Sequence, residues 1–361
     1  MSMKKRLIFV VLMFIVFGLL YFMNRPKNEG STYVRIEGIV FGTSYHITMK
    51  LEDEKIDSSK AEQFSQYLKA QIESRLQEFD NSLSTFNPNS VISRINSNVG
   101  DTLWVDDYFT KMYIAADQVW TVTNGAFDIT CAPLVNACGF GYNPDRNVSQ
   151  AERDSIKEHY VGFRKIHLCE QGERKWIRKD NPNVRLDASA IAKGQGVDVV
   201  AELLDSLGKT DYMVEIGGEV RVKGVNNKGE DWLIGISKPV DDTLSATYTE
   251  LQCAVRLHDQ SLATSGNYLQ FYYKDGKRFS HTVDPRTAAP VNHSLLSASI
   301  IAKDCMMADA LATSCMVVGL DSAMTMIGSM PEVEGYFIWA DENGNYNTSH
   351  TEGFIEINIE N

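Results

Sequence analysis

The stretch that decides the fold is Tyr212-Met-Val-Glu-Ile-Gly-Gly-Glu-Val-Arg-Val-Lys-Gly-Val225, followed after a short charged gap by Trp232-Leu-Ile-Gly-Ile-Ser237. Apolar and β-branched residues come here in short runs separated by glycine or charged turns, which is how strands are written rather than helices. Further runs of this kind cover 254–257, 270–273 and 279–283. Consecutive strands with no helix between them predict an antiparallel or mixed sheet rather than β-α-β winding. Two more strands are expected earlier, at 34–39 and 44–49.

Helices are expected on either side of this block. Phe64, Leu68, Ile72, Leu76 and Phe79 recur at spacings of three and four and mark one apolar face. A second helix is expected over about 107–124, with Phe109, Met112, Ala116 and Val119 inward and Gly125 as its stop. A third should span about 190–207 and end at Gly208. A fourth should start near Asp304, carry Met307, Leu311, Ser314 and Val318 on one face, and stop at Gly319. The fold class that follows is mixed α/β (α+β), a large mixed or antiparallel sheet flanked by helices.

Composition narrows the function classes. The chain has 361 residues, 43% hydrophobic and 23% charged, which excludes a disordered or fibrous protein. Nothing repeats at a fixed period, so a solenoid or propeller is not expected. Asp and Glu total 47 against 35 Lys and Arg, a formal charge of -12. Such a surface repels phosphate backbones, and no Lys/Arg stripe interleaved with aromatics offsets it; nucleic-acid binding is not expected. A phosphorylated small substrate would need a local cation to overcome the same field, which favours a metal site.

The first 32 residues read differently from the rest. Residues 1–6 form a basic tip with Lys4, Lys5 and Arg6. Residues 7–23 are apolar apart from Gly18 and Tyr21, 24–32 form a linker, and 33–361 form the folded domain. As a helix the apolar run would rise about 25 Å, at the short end for crossing a bilayer. Basic residues in front of it place the N-terminus in the cytoplasm and the remainder outside, as a signal-anchor. A cleaved signal peptide is the alternative, against which Asn24-Arg-Pro-Lys27 offers no small-x-small cleavage pattern and no nearby Cys to accept a lipid. The six cysteines contain no C-x-x-C pair, so zinc and thioredoxin-like chemistry are unsupported. An outside location permits disulfides. Cys131 and Cys138 are close in sequence, but spacing fixes no pairing, and buried free thiols are the other reading.

Nucleotide fingerprints are missing: Gly139-Phe-Gly141 and Gly194-Gln-Gly196 lack a third glycine, and no G-x-x-x-x-G-K-[ST] occurs. Four polar clusters interrupt the regular patterns instead. In Leu186-Asp-Ala-Ser-Ala-Ile-Ala-Lys-Gly194 a strand-like run passes into a helix whose first turn offers N–H groups to an anion, with Lys193 adding charge. A plain cap by Asp187 or Ser189 is the alternative. Asp309-Ala-Leu-Ala-Thr313 puts a carboxylate and a hydroxyl one turn apart on one face, two hard oxygen ligands suited to Mg²⁺. A local Thr–Asp contact on a solvated face is the alternative, opposed by Ala308, Ala310 and Ala312. Phe279-Ser-His-Thr-Val-Asp-Pro-Arg286 is a strand end entering a Pro turn, where a His is more often structural than catalytic. Ala263-Thr-Ser-Gly266, before Asn267, reads as a tight turn.

Together these clusters resemble the ApbE-type FAD:protein FMN transferases, over about Phe41 to Gly319. The segments that carry the resemblance are Phe41-Gly-Thr-Ser-Tyr45, Leu83-Ser-Thr-Phe-Asn-Pro-Asn-Ser90, Asn124-Gly-Ala-Phe-Asp128, Leu186 to Gly194, Glu215-Ile-Gly-Gly-Glu219, Ala263 to Gly266, His281 to Arg286 and Asp309 to Thr313, in that order. The resemblance implies a Mg²⁺ ion held by Asp309, Thr313 and the Ala190 carbonyl. It implies flavin-nucleotide contacts at Phe41, Ser84, Thr85, Phe86, Ala126, Phe127, Asp128, Asp187, Lys193 and Val283, and a role for His281 in the transfer step. It further implies FAD as substrate, a threonine of another protein as FMN acceptor, and acceptors among membrane redox subunits such as those of sodium-pumping NADH:quinone reductase or Rnf type. With the N-terminal segment it implies a bacterial inner-membrane location, the catalytic domain on the periplasmic side. The sequence departs at Ala288, where such proteins commonly have Gly, and in lacking a lipid-accepting Cys.

The implied reaction breaks the FAD pyrophosphate as a threonine hydroxyl attacks the FMN phosphorus and AMP leaves. Phosphoryl transfer of this kind rests on positioning and charge neutralisation, with a base to activate the alcohol. Two other activities remain: Mg-dependent hydrolysis of FAD to FMN and AMP, and non-enzymatic flavin binding. An Asp309–Thr313 metal site and His281 disfavour the last.

Overall fold

The computed structural model describes residues 33–51, 58–100, 102–141, 144–145, 148–239, 250–267, 271–274, 277–280 and 282–358. The basic tip, apolar run and linker expected over 1–32 lie outside these residues. No helix among the described residues is long and apolar enough to cross a membrane.

The first half of the chain runs β1 (Tyr33–Val40), β2 (Thr43–Lys50), α1 (Ser58–Leu83), α2 (Val91–Ser97), β3 (Leu103–Val105), α3 (Asp107–Val122), α4 (Ala132–Ala137), α5 (Gln150–Tyr160), β4 (Ile166–Gln171), β5 (Arg174–Lys179) and α6 (Ala192–Ser206). The second half runs β6 (Tyr212–Ile216), β7 (Glu219–Lys223), β8 (Trp232–Ser237), β9 (Leu251–Leu257), β10 (Ser261–Gly266), β11 (Phe271–Lys274), β12 (Lys277–Ser280), β13 (Val283–Asp284), β14 (Ala289–Pro290), β15 (Leu295–Ala302), α7 (Cys305–Val318), α8 (Leu320–Gly328), β16 (Glu334–Ala340) and β17 (Tyr346–His350).

Eight strands form one sheet in the order β1-β2-β6-β7-β10-β15-β16-β17. Every neighbouring pair is antiparallel. The expected sheet is therefore present, and it is purely antiparallel. Alternation decides what each face meets. Tyr45, Ile47 and Met49 of β2 pack against Leu68, Ile72 and Leu76 of α1 and Val197, Val200 and Leu204 of α6. On the opposite face Val220 and Val222 of β7, Ile301 of β15 and Tyr336 and Ile338 of β16 pack against Trp232, Ile234 and Ile236 of β8 and Val255 and Leu257 of β9. The β8–β9 hairpin thus roofs the side away from the helices. Strand β15, covered on both faces, is buried at all of its positions.

The four expected helices appear; the first extends beyond its apolar face to Ser58–Leu83, and the ends of the other three fall within two residues of those expected. One reading is overturned: Ala263 to Gly266 is not a tight turn but most of β10, paired with β15 along its length and with β7 at its start. Its small side chains have a packing cause, because α7 lies directly on β10 and β15. Ala308, Ala310 and Ala312 are all buried there, because α7 is covered by α6 and α3 as well as by the sheet. All six cysteines are free thiols, and four of them (Cys138, Cys253, Cys305 and Cys315) are buried.

Candidate functional site

A cleft of about 700 Å³ opens between the β1–β2 turn, the end of α1 and the segment leading into α6. The turn is two residues long, and both Phe41 (φ 53°) and Gly42 (φ 75°) have positive φ, the backbone of a type I′ hairpin. Glycine adopts it freely; a bulky side chain there is uncommon and marks a residue held for a purpose. The Phe41 ring meets Phe79 edge-on at 5.5 Å, and Phe79 meets Tyr108 edge-on at 5.6 Å. Phe86, which also lines the cleft, is 79% exposed. The wall is aromatic and the far end is charged, because Lys193 lines it.

Of the positions implicated in flavin contacts, Phe41, Ser84, Thr85, Phe86, Asp187 and Lys193 line this cleft. Ala126, Phe127, Asp128 and Val283 are not part of its wall. Ala126 and Phe127 are buried, and Val283 sits in a separate small core with Leu134, Cys138, Val161 and Ala288. Asp128 is committed within the protein: it accepts the Thr130 N–H at 2.8 Å, the Thr130 hydroxyl at 2.5 Å and the Phe163 N–H at 2.9 Å. The Asp128 segment still abuts the cleft, because the Asp187 N–H donates to the neighbouring Ile129 carbonyl at 2.7 Å.

At the charged end, two helices and two strands converge. Asp309 of α7 is 3% exposed and accepts the Gly194 N–H of α6 at 2.9 Å. Thr313, one turn further along α7, lies 3.1 Å from the Ser265 hydroxyl of β10. Lys193 is hydrogen-bonded to Glu219, the first residue of β7. The other Glu219 oxygen, Oε2, is buried and has no hydrogen-bond partner. The alternative reading, that Asp187 or Ser189 caps α6, does not hold. The N-cap is Ile191, without a side-chain cap, and Asp187 instead accepts the Ser189 N–H at 2.8 Å to turn the chain before the helix.

Electrostatics make this end short of positive charge. Burial pushes the Asp309 carboxyl above its usual range, with Lys193 and the Gly194 N–H pulling it back. Burial and then the Asp309 charge push Glu219 up to about 7, against the pull of Lys193. Burial lowers the Lys193 ammonium, but Asp309 and Glu219 outweigh it and hold it above its ordinary value. Two carboxylates share one ammonium in a desolvated pocket, an arrangement that a divalent cation would complete.

The donors present suit a hard cation. Among the described residues no three His, Cys, Asp or Glu side chains converge as a metal cage. What the site offers is one carboxylate (Asp309), one hydroxyl (Thr313) and a carbonyl. Ala190 precedes the Ile191 N-cap of α6, so its carbonyl lies outside the helical ladder, and the Gly194 N–H, in the first turn, goes to Asp309. Few protein oxygens, with positions left for water and phosphate, is the pattern of Mg²⁺ at a phosphoryl-transfer site.

The family model described as the ApbE family matches residues 41–337. The chain belongs to the ApbE family. A relative from Haemophilus influenzae named FAD:protein FMN transferase is 35% identical over 315 residues, 86% of this chain and 88% of that protein. A solved structure of the flavin transferase ApbE from Vibrio cholerae superposes with a TM-score of 0.73 at 33% identity, covering 89% of this chain and 97% of that one. The apo flavinyl transferase ApbE from Pseudomonas stutzeri gives 0.74 at 28% identity over 89% and 95%.

Within this ApbE-family fold, residues not singled out from sequence complete the site: Phe79, Asp80, Leu83 and Asn87 in the wall, and Glu219, Gly194 and Ser265 at the charged end. Five of these, Leu83, Asn87, Gly194, Glu219 and Ser265, lie inside the segments that carry the family resemblance. His281 lies outside the described residues. The turn that follows it is held firmly: the Asp284 carboxylate accepts the Arg286 N–H at 2.8 Å and clasps the Arg286 guanidinium. Ala288, where glycine is common, has φ 53°, the left-handed backbone that explains that preference.

Proposed function

We propose that this chain is an FAD:protein FMN transferase that forms a phosphoester between FMN and a threonine hydroxyl of an acceptor protein. The observation that carries this reading is the junction of an aromatic cleft with a buried Asp309–Lys193–Glu219 group. One end of the cavity suits a flavin ring, and the other suits a pyrophosphate with its counter-ion.

In the reaction the acceptor oxygen bonds to the FMN phosphorus, the bond from that phosphorus to the AMP oxygen breaks, and the hydroxyl proton passes to a base. Phe41 and Phe86 flank the ring, and Ser84, Thr85 and Asp187 offer polar partners along the nucleotide. Glu219 fixes the Lys193 ammonium at the charged end, where it neutralises phosphate oxygens. Asp309, Thr313 and the Ala190 carbonyl would hold Mg²⁺, which supplies charge neutralisation to the pyrophosphate. His281 is the proposed base, taking the acceptor proton near neutral pH, where an unperturbed imidazole titrates. AMP is a stable anion and leaves without an acid.

Residues 1–32 are proposed to anchor the domain to the inner membrane with its catalytic part in the periplasm, where membrane redox subunits supply the acceptor threonine. N-terminal sequencing of the membrane fraction tests the anchor. Incubating the protein with FAD, Mg²⁺ and such a subunit tests the activity: an FMN-bearing acceptor and free AMP support it, whereas free FMN with an unmodified acceptor indicates hydrolysis.

A further inference from the structure

Helix α2 is hydrogen-bonded at its N-terminal end to Ser84, which lines the cleft, and near its C-terminal end to Leu186, which leads into the lining residues Asp187 to Ser189, and we infer that Asn96 is a positioning residue that holds these two parts of the lining at the spacing FAD requires. The inference rests on the proposed FAD reaction and deepens it.

At the N-terminal end of α2, the Ser90 hydroxyl donates to the Ser84 carbonyl at 2.6 Å and accepts the Ser93 N–H at 3.1 Å. The Ser93 hydroxyl donates to the same carbonyl at 3.3 Å. Ser84 lines the cleft. At the other end, Asn96 Nδ2 donates to the Leu186 carbonyl at 2.8 Å, and Asn96 Oδ1 accepts the Leu186 N–H at 2.7 Å. A carboxamide that satisfies both backbone groups of one residue does what a neighbouring strand would do. Leu186 needs this, because it is 1% exposed, lies outside any strand, and would otherwise bury an unpaired donor and acceptor.

The next residue is pinned from the other side, where the Asp187 N–H reaches Ile129. The backbone at 186–187 is therefore clasped between Asn96 and the segment that carries Asp128. Asp187, Ala188 and Ser189 follow directly and line the cleft. A shift of Leu186 shifts Asp187 to Ser189, whereas a shift of Ser84 moves another part of the lining. Helix α2 is kept on the segment by Lys179, whose ammonium bonds the Ile95 carbonyl at 2.9 Å and the Val184 carbonyl at 3.0 Å.

Asn96→Ala removes both hydrogen bonds. Asn96→Asp keeps the size and the acceptor for the Leu186 N–H but turns the donor into an oxygen facing the Leu186 carbonyl. The test measures FAD affinity by flavin fluorescence, steady-state KM for FAD and kcat at saturating FAD with Mg²⁺ and acceptor, and Tm, on the same preparations. For both variants FAD affinity should weaken about tenfold or more and KM rise in step, while kcat at saturation stays within about threefold. If Asn96→Ala does not fold, the near-isosteric Asn96→Asp decides. A folded variant with wild-type FAD affinity and KM overturns the inference even if its Tm falls, because a purely structural brace moves Tm alone. Wild-type protein that fails to bind FAD would instead overturn the functional reading, independently of the variants.

Discussion

Gly194 and Asp309 meet where α6 crosses α7: the Gly194 N–H donates to Asp309 Oδ2 at 2.9 Å. The exchange is reciprocal. Asp198 of α6 accepts the Cys305 N–H at 3.1 Å and the Met306 N–H at 2.8 Å, capping the first turn of α7. Each helix thus gives a carboxylate to the other's first turn, where unpaired N–H groups and the helix dipole favour negative charge. Arg221 holds Asp198 from β7 at 2.6 Å. The carboxylate proposed to bind metal is therefore placed by two helices locked to each other, not by a loop.

The crossing leaves no room for a side chain at Gly194. An added Cβ would lie 2.3 Å from the Cys305 carbonyl oxygen and 2.8 Å from Asp309 Cβ. Alanine would gain about 1 kcal/mol in helix propensity, but overpacking costs about 1–3 kcal/mol and here meets backbone that cannot rotate away. Gly194→Ala should lower Tm and abolish turnover together. A thermal melt at or above the wild-type Tm with intact activity would refute the close crossing.

Removing the carboxylate tests the metal assignment. Asp309→Ala should cut FAD turnover about a hundredfold or more, since metal neutralisation is worth several kcal/mol. Thr313→Ala should be milder, because water can replace a neutral ligand. Titration of Mn²⁺ followed by its paramagnetic relaxation reads the site without turnover, and an Asp309→Ala protein that binds the ion as tightly as wild type contradicts the assignment.

Glu219 predicts a pH dependence of the metal-free protein. Its carboxyl is pushed from an ordinary 4.5 up to about 7, first by burial and then by Asp309. The folded state therefore prefers the protonated acid; that contribution is full below pH 4.5 and is lost as pH rises through 7. With chelator present, stability should fall between about pH 5 and 8. Glu219→Gln should flatten this slope, leaving the share of Asp309, which shifts in the same direction. Denaturant midpoints across that range check it, and a wild-type curve that rises from pH 5 to 8 rules it out.

His281 is proposed as the base, a role that typically contributes about a hundred- to ten-thousand-fold. His281→Ala should bind FAD and Mg²⁺ almost normally yet modify acceptor far more slowly. Weakened FAD binding with a lowered Tm would point to a packing histidine, and unchanged transfer would remove it from the mechanism.

Although β15, β16 and β17 were not expected, strands β1, β2, β6 and β7 of the sheet and the four long helices were legible because their apolar residues recur at periods of two and of three or four, as in Tyr45, Ile47 and Met49 or Leu68, Ile72 and Leu76. Strand β10 was not, because Ala263, Thr264, Ser265 and Gly266 are small for packing under α7, and small polar residues in a row also spell a turn. In the site, Asp309 and Thr313 could be paired from their helical spacing alone. Gly194, Glu219 and Asn96 could not, since each acts on a residue far along the chain: Gly194 on Asp309, Glu219 on Lys193, Asn96 on Leu186. A hydrogen bond across such a separation leaves no local period. The side chains of Ala126, Phe127 and Val283 are buried, those of Phe127 and Val283 within hydrophobic cores, and do not line the cleft.

The most direct test of the account is the intact mass of an acceptor protein after incubation with this protein, FAD and Mg²⁺. The account predicts an acceptor heavier by one FMN less one water, located on a threonine, with one AMP released per acceptor modified. It predicts that Asp309→Ala forms this product about a hundredfold more slowly or worse. An acceptor of unchanged mass while FAD is converted to free FMN and AMP would contradict it.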